Sequence, residues 1–429
     1  MKQILENLIK DWWLRPLPKV IPRETSLKDF VNLKVRKAVA VVGFRRTGKT
    51  YLLLELAKKL GQRNCLYINF EDERLPKETK VLTNLLEVVA EIGGKRPYFL
   101  LLDEIQNIEN WSLWLRRVLE TTNHQIFITG SSSKLSSSQI PTYLRGRSLS
   151  VFLNPLTFKE FLRFKEQDIS FLPKAYILNL AREYLQFGGF PEIVLVDEGK
   201  KPLILDEYFQ TFLWRDIKER YHLRNTQAIK TIIQMLLNSS YFTLSRLTNN
   251  VNSLGLKVGK STLMRYLSFL EESFFFQPLY LHTPNIKNRL KAEKKPYFVD
   301  AYFLSRYSNA FSQNLGRLME NIVANRLINF TKVDPNFSLY YFKDFQNHEV
   351  DFILREKEEV KAAFQISFIT KEELINPREI KSLIKVAKIF GVKNLKIITW
   401  DLEKETVAKG EKIICQPFYK WMMEEIISD

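Results

Sequence analysis

The sequence has few cysteines and no long apolar segment, and these two absences exclude whole classes of protein. Only two of the 429 residues are cysteine, and Cys65 and Cys415 lie too far apart for the spacing of a metal-binding or redox pair. We therefore expect two reduced thiols. No apolar run is long enough to cross a bilayer, and the basic first ten residues lack the apolar core of a signal peptide. The sequence thus predicts a cytoplasmic protein without a membrane partner.

Acidic residues are also in deficit, which leaves a formal net charge of +17. The excess is local: residues 1–50 carry 12 Lys and Arg against 4 acids, and residues 251–300 carry 8 against 4. Nucleic acid is the first partner that such basic regions suggest. A general surface charge that only aids solubility explains the composition equally well, so both interpretations stay open.

Apolar runs and helical patterns alternate in the first part of the chain. The run Ala38–Phe44 is continuous, as in a buried parallel strand, and strand patterns recur at Cys65–Phe70, Tyr98–Leu102 and Gln125–Thr129. Helical stretches separate them, which predicts an α/β domain with a parallel sheet between two layers of helices. Beyond 154 the pattern is mostly helical, and strand patterns return after 338.

A phosphate-binding loop follows the first strand pattern. Residues 43–50 match G-x-x-x-x-G-K-[ST], with Gly43, Phe44, Arg45, Arg46, Thr47, Gly48, Lys49 and Thr50, and Tyr51 begins the helical pattern behind them. Glycines let the backbone N–H groups point at phosphate oxygens, and the following helix adds its positive dipole end. Lys49 is expected to reach the β- and γ-phosphates, while the Thr50 hydroxyl ligates Mg²⁺. ATP and Mg²⁺ are therefore the predicted cofactors.

Two acids end the third strand pattern. Asp103 is the predicted second Mg²⁺ ligand, and Glu104 is the residue expected to orient or deprotonate the attacking water. The next strand pattern ends before Ser131, which is a candidate sensor of the γ-phosphate, although this serine stretch could equally cap a helix. Farther on, Arg145 or Arg147 could be an arginine finger, in cis or across a subunit interface of an oligomer, or both could form ordinary salt bridges.

The order of these motifs resembles a known group, the prokaryotic and especially archaeal AAA+-type ATPases that carry a C-terminal domain of the DUF4143 kind. The resemblance rests on GFRRTGKT, LLLDEIQNIENW, ITGSSSKLSS, YLRGRSLSVFLNPLTFKEF and LQFGGFPEIV, which cover most of residues 23–225. It implies an AAA+-like core with a helical lid. In related signalling ATPases a Gly-x-Pro turn lies against the nucleotide base, which makes Gly189 and Pro191 candidates for that contact. The plain alternative is a turn between helices.

Residues 242–270 look like a winged helix-turn-helix. Leu263, Leu267 and Leu270 repeat at helical spacing and predict one buried face. That arrangement leaves other side chains of the second helix available to DNA, namely Lys260, Ser261, Thr262 and Arg265. The hairpin-like segment Asn285–Lys295, with five basic residues and one acid, would form the wing. Winged helices also serve as packing modules, so DNA contact is one of two interpretations.

The last region resembles the PD-(D/E)XK nuclease fold that is often found in this group. Glu320, Asp351 and Gln365 align with its acidic motifs, which in an active enzyme hold a metal ion beside an activating lysine. Ser367 stands where that lysine is expected and carries no cation. The resemblance therefore implies a degenerate, inactive nuclease-like domain.

Four regions are predicted in all: an ATPase core with an N-terminal arm (1–153), a helical lid (154–225), a winged helix (226–300) and a nuclease-like domain (301–429). Three functions fit this organisation. The first is an ATP-driven switch or motor acting on DNA or a protein partner. The others are a nucleotide-controlled DNA nuclease and an interaction protein that binds ATP without hydrolysing it.

Overall fold

The computed structural model describes residues 1–94, 96–130, 144–308 and 315–427. The chain divides into two compact units, Met1–Asn154 and Pro155–Asp429. Among the described residues, no helix is both long and apolar enough to span a membrane. The division into four regions stays a prediction.

Unit 1 contains a five-stranded parallel sheet in the order β2-β3-β4-β1-β5. The strands are β1 (Ala38–Val42), β2 (Cys65–Asn69), β3 (Phe99–Asp103), β4 (Gln125–Gly130) and β5 (Ser148–Phe152). The helices are α1 (Lys2–Leu14), α2 (Lys49–Leu60), α3 (Thr79–Gly93) and α4 (Trp111–Thr121). The predicted parallel α/β core is therefore confirmed, and β5 is a strand that the sequence pattern did not indicate.

Buried aliphatic side chains stabilise this sheet. All five residues of β1 are buried, as a strand with helices on both faces requires. Val41 of β1 lies in one apolar cluster with Leu53 of α2 and Trp12 of α1. The Trp12 indole also donates a hydrogen bond of 2.9 Å to the Cys65 carbonyl and so attaches α1 to β2.

Unit 2 begins with helices. They are α5 (Phe158–Phe164), α6 (Lys174–Phe187), α7 (Pro191–Leu195), α8 (Lys201–Thr211), which continues as a π-helical segment (Phe212–Glu219), α9 (Gln227–Leu237), α10 (Leu244–Ser253) and α11 (Lys260–Glu272). Strands β6 (Phe276–Leu279) and β7 (Lys295–Phe298) then form an antiparallel pair. Between them lies α12 (Ile286–Lys291), so the expectation of a hairpin-like segment at 285–295 was wrong. The helix forms because the Asn285 side chain caps it by accepting from the Asn288 N–H at 3.1 Å.

A mixed six-stranded sheet completes unit 2, in the order β12-β13-β11-β10-β9-β8. Its strands are β8 (Phe337–Lys343), β9 (Glu349–Glu356), β10 (Glu359–Ser367), β11 (Asn394–Thr399), β12 (Lys404–Ala408) and β13 (Glu411–Pro417). The remaining helices are α13 (Ala301–Tyr307), α14 (Leu315–Val333), α15 (Pro377–Phe390) and α16 (Phe418–Trp421). Side chains of β9 alternate between two cores: Phe352 packs with α14 residues, and Ile353 packs with α15 residues. The predicted C-terminal α/β region is therefore confirmed, and it contains a sheet separate from that of unit 1.

Candidate functional site

The phosphate-binding loop connects β1 to α2 and has the backbone that its glycines allow. Gly43 has a φ of 155°, and a Cβ atom there would lie 2.1 Å from the Leu153 carbonyl oxygen. Gly48 adopts a φ of 96° at the start of α2. Residues with side chains would clash or be strained at both positions, so the two glycines of the motif are required by this loop shape.

Side chains of the loop are held from within unit 1. The Lys49 ammonium is buried and donates to the carbonyls of Gly43 (3.1 Å) and Phe44 (2.9 Å). Thr47 is fully buried and its hydroxyl donates to the Phe44 carbonyl at 2.9 Å. Arg23 of the N-terminal arm donates to the Thr47 carbonyl at 2.9 Å. The ammonium and the loop backbone are therefore fixed in one place, as phosphate recognition requires.

The other predicted loop residues differ in their exposure. Phe44 is buried and Arg45 is half-buried, whereas Arg46 and Tyr51 are exposed. Arg46 has a φ of 65°, which marks the tight point of the loop. Tyr51 is 54% exposed on α2 and is therefore accessible to a ligand.

Asp103 lies opposite the loop and is surrounded by hydroxyl groups. Its Oδ2 atom accepts from the hydroxyls of Thr50 (2.8 Å) and Tyr67 (2.8 Å), and its Oδ1 atom accepts from the Thr129 hydroxyl. The predicted pair of oxygen ligands, Thr50 and Asp103, is thus adjacent. Oxygen donors of this type are those that Mg²⁺ prefers.

Burial raises the pKa of the Asp103 carboxyl above its ordinary value. The Thr129 hydroxyl, which is the next largest influence, acts against this rise in pKa by donating to the charged form. The neighbouring Glu104 charge raises the Asp103 pKa further, and the hydroxyls of Thr50 and Tyr67 lower it. The hydroxyl groups therefore favour the carboxylate that a metal ion needs.

Glu104 is held next to Asp103 by its own backbone. Its N–H donates to the Thr129 hydroxyl oxygen at 3.1 Å, and its φ of 52° turns the chain at the end of β3. The Gln106 side-chain amide donates to the Glu104 carboxylate. Thr129 thus contacts both acidic residues, one through the side chain and one through the backbone.

Arg145 and Arg147 lie at the other end of the sheet. Both precede β5, and the Arg147 carbonyl accepts from the Ala38 N–H at 2.9 Å, where β1 begins. The loop begins where β1 ends, about 16 Å away for a strand of this length. Arg147 forms an ion pair of 2.7 Å with Glu120. This placement does not favour a finger in cis, and a role across a subunit interface stays a prediction. Ser131 lies outside the described residues.

Gly189 and Pro191 belong to unit 2. The Gly189 N–H donates to the Asp300 carboxylate at 2.8 Å, and its carbonyl accepts from the Leu156 N–H at 2.6 Å. A Cβ atom at Gly188 would lie 1.7 Å from an Asp300 oxygen. Pro191 begins α7. The two glycines therefore have a structural role beside Asp300, and contact with a base stays a prediction.

The predicted DNA-contacting residues lie on α11. Leu263, Leu267 and Leu270 are buried as expected, while Lys260, Ser261 and Arg265 are exposed and Thr262 is half-buried. The preceding helix, α10, is capped by the Thr243 hydroxyl, which accepts from the Arg246 N–H at 3.1 Å. This face is open to a partner, and its binding to DNA stays a prediction.

Glu320, Asp351 and Gln365 come together in unit 2, around a residue that sequence reasoning missed. The Lys295 ammonium of β7 lies 2.6 Å from Asp351, 3.0 Å from Glu320 and 3.0 Å from Glu349. Burial alone would lower the pKa of Lys295, but the charges of Asp351 and Glu320 outweigh it and hold that pKa well above the ordinary value. Gln365 accepts from the Asp351 N–H at 3.3 Å. An internal cation therefore lies where the carboxylates converge.

The contacts of Tyr67 and Thr129 with Asp103, and of Lys295 with Asp351, were not predicted from the sequence. Thr129 offered a usable signal, because it is a polar residue at the end of the strand after Asp103. Tyr67 and Lys295 offered none, since Tyr67 reaches Asp103 from the neighbouring strand β2 and Lys295 reaches Asp351 from the separate β6–β7 pair.

Comparison with known proteins shows which families and proteins the chain resembles. Residues 35–162 match the family described as AAA domain, residues 178–314 match Domain of unknown function (DUF8612), and residues 315–419 match Domain of unknown function (DUF4143). The uncharacterized protein MJ1544 of Methanocaldococcus jannaschii is 36% identical over 419 residues, with 94% of this chain and 91% of the relative covered. An uncharacterized protein of Haemophilus influenzae is 29% identical over 406 residues, with 90% and 99% covered. A solved Walker-type ATPase of Pyrococcus abyssi has a TM-score of 0.45 at 14% identity, covering 68% of this chain and 97% of its own.

The match along nearly the whole length of MJ1544 extends the agreement beyond the phosphate-binding loop to both units. The motifs predicted the AAA domain and the C-terminal DUF4143 domain, whereas the DUF8612 domain between them was not predicted. The chain therefore belongs to the family of AAA-type P-loop ATPases that carry a C-terminal DUF4143 domain.

Proposed function

We propose that this protein is a Mg²⁺-dependent ATPase that converts ATP and water to ADP and phosphate. The observation that carries the proposal is the network in which Thr50 and Thr129 donate to the two oxygens of Asp103, and Thr129 also accepts from the Glu104 backbone. This network brings the phosphate loop, the metal-type ligands and a candidate general base to one edge of the parallel sheet.

Each part of the site has a defined task in this proposal. The backbone N–H groups of residues 43–50 bind phosphate oxygens, and Lys49 places one positive charge beside them. A magnesium ion held by Thr50 and Asp103 would neutralise phosphate charge. Glu104 accepts the proton of the attacking water from a position fixed by Thr129 and Gln106.

Phosphate release by purified protein tests this proposal. The wild type should release phosphate from ATP only with Mg²⁺, and Lys49→Ala should lose both nucleotide binding and turnover. Glu104→Gln should lose turnover while binding ATP as the wild type does, because it keeps the size and backbone of Glu104. Turnover by Glu104→Gln at the wild-type rate would refute the assigned base. Nucleotide binding without turnover by the wild type would leave only an ATP-dependent interaction protein.

We propose further that ATP turnover drives a switch or motor acting on DNA or a protein partner. The exposed basic start of α11, with Lys260 and Arg265, supports DNA as that partner. Duplex DNA should then change the phosphate-release rate of the wild type, and Lys260→Ala/Arg265→Ala should abolish that change without altering the basal rate. An equal response in the double variant would remove α11 from the proposal.

A nucleotide-controlled nuclease is the weaker alternative. Lys295 forms ion pairs with Asp351, Glu320 and Glu349 at the position a metal ion would need, and Ser367 carries no cation. Among the described residues, no group of three or more His, Cys, Asp or Glu side chains is arranged to hold a metal ion. Cleavage of DNA with Mg²⁺ or Mn²⁺ that disappears in Asp351→Ala would restore this alternative.

A further inference from the structure

One turn of the C-terminal sheet presents a fully exposed aromatic ring. Residues 344–348 connect β8 to β9, and Phe345 at their tip has no side-chain burial at all. A solvated phenylalanine ring is costly, since full burial of such a side chain is worth about 1.5–3 kcal/mol. Both faces of the ring are therefore accessible to a partner.

The turn that carries Phe345 is firmly held. The Asp344 carboxylate accepts from the backbone N–H groups of Gln346 (2.8 Å) and His348 (2.9 Å) and forms an ion pair with Lys385. Burial alone would raise the pKa of Asp344, but the hydrogen bonds from the Lys385 ammonium and the His348 backbone N–H hold that pKa well below its usual range. The ring thus projects from a fixed base, which keeps the entropy cost of binding low.

The turn lies along a basic face of α15. Arg378 donates to the Asn347 carbonyl at 2.7 Å, and Lys385 donates to the Gln346 side chain at 3.0 Å. At about 100° per residue, Arg378, Lys381, Lys385 and Lys388 fall within an arc of about 80° on the helix. The same helix carries only one acid, Glu379, which is half-buried. We call this surface, Phe345 with Arg378, Lys381, Lys385 and Lys388, the Phe345 patch.

A second basic helix continues this surface. The His282 ring, just before α12, packs at 4.9 Å against Phe390 at the end of α15. Arg289 of α12 lies over the Tyr340 ring of β8 at 5.2 Å. Lys287 and Lys291 of the same helix are exposed. Through the Tyr340 and His282 rings, Arg289 lies near the end of α15 and adds a further cation to those of that helix.

We propose that the Phe345 patch binds single-stranded nucleic acid, with phosphates along α15 and an unpaired base stacked on Phe345. A basic track beside an exposed aromatic ring is the combination that holds such strands without sequence preference. Duplex DNA uses the ring poorly, because its bases already stack on one another. The proposed site contains no residue of α11 and needs no ATP turnover, so it stands or fails independently of the proposed ATPase.

Fluorescence anisotropy of a labelled oligothymidine with the full chain, without nucleotide, tests the proposal. Phe345→Ala should weaken binding by roughly 5- to 150-fold without changing the salt dependence, and Phe345→Trp should retain affinity. Lys381→Ala/Lys388→Ala should weaken binding and reduce the slope of log K against log salt by about 1.4, or about 0.7 per phosphate.

Matched controls exclude general effects of charge and apolar surface. Phe171→Ala removes another exposed ring, which is 86% exposed, and Lys404→Ala/Lys412→Ala removes two lysines from β12 and β13, the two strands farthest from β8 in the same sheet. Both should bind as the wild type does. Unchanged affinity in Phe345→Ala overturns the proposal, as does an equal loss in either control. If polyaspartate competes as strongly as unlabelled oligothymidine, the partner is an acidic protein segment instead. If only Lys260→Ala/Arg265→Ala loses oligothymidine binding, the binding site is on α11.

Discussion

Replacing Thr129 with valine would remove a single hydroxyl group from the network around Asp103. The side chain is fully buried, and valine has almost the same shape, so no cavity is created. The hydroxyl makes two contacts: it donates to the Asp103 carboxylate and accepts from the Glu104 N–H at 3.1 Å. Both contacts are lost together, whereas Thr129→Ser keeps the hydroxyl and serves as the control.

The size of the effect follows from those two contacts. A hydrogen bond to a charged group contributes about 1.5–3 kcal/mol, and a buried N–H without an acceptor costs about 1–3 kcal/mol. Because the two terms share one atom and are not additive, we expect a loss of about 3 kcal/mol in the free energy of unfolding of unit 1. For a domain of this size that is a decrease of about 6–12 °C in melting temperature.

The loss should depend on pH in a defined direction. Burial raises the Asp103 pKa in the native protein, and the Thr129 hydroxyl lowers it. Valine at this position therefore raises the Asp103 pKa of the native state further. As pH rises from the Asp103 pKa of the unfolded state to that of the native state, the variant should lose more of its free energy of unfolding than the wild type does. In acid, where Asp103 is protonated in both states, the wild type and the variant should differ least.

Mg²⁺ titration of phosphate release at several pH values provides the decisive assay. The valine variant should need more Mg²⁺ for half-maximal turnover, and higher pH should reduce that difference, because the ion binds the carboxylate form. If Thr129 had only a structural role, the valine variant would have a lower melting temperature than the wild type but the same Mg²⁺ dependence. The reasoning is refuted if the valine and serine variants share one Mg²⁺ dependence and one melting temperature.

Three further changes test other parts of the structure. Gly43→Ala should prevent the native conformation of the phosphate loop, because the added Cβ would lie 2.1 Å from a backbone carbonyl oxygen, and calorimetry should then detect no nucleotide binding. The control is Gly199→Ala, whose added Cβ would have no atom within 4 Å and which should bind nucleotide as the wild type does. In urea unfolding, Lys295→Met should destabilise unit 2 by about 3–5 kcal/mol, because it leaves buried carboxylates unpaired. The control Lys420→Met breaks an exposed ion pair and should cost less than about 1 kcal/mol. Burial raises the pKa of Asp300 to about 7, so the wild type should lose stability as pH rises from about 4 to about 7. Asp300→Asn should show a smaller pH dependence of its melting temperature over that interval, and an identical profile would contradict this assignment.

The phosphate loop and the two acids after β3 were predictable because their signals are local. A continuous aliphatic run, glycines at fixed spacing and a lysine within eight residues define the loop, whatever the rest of the chain does. Asp103 and Glu104 follow an apolar run that predicts the second parallel strand after the loop, and this prediction needs no information from any other segment. The carboxyl ends of parallel strands meet at one edge of the sheet, which explains why these local signals could be joined correctly.

Other features depended on pairings between distant segments. Strand β5 carries only a short alternation of polar and apolar residues, and its place at the edge of the sheet follows from its pairing with β1. Tyr67 reaches Asp103 across the sheet, and Lys295 reaches Asp351 from 56 residues away. The segment 285–295 was misassigned because its charge suggested a wing, while the Asn285 cap made it helical.

The sequence by itself thus determined the phosphate loop, the candidate metal ligands and the α/β class. Only the tertiary structure decided which hydroxyls surround Asp103, which cation neutralises the acidic cluster and which ring stands exposed beside α15. The physical reason is that hydrogen bonds and ion pairs between distant residues depend on strand register, and register is set by the packing of the whole unit rather than by any one segment.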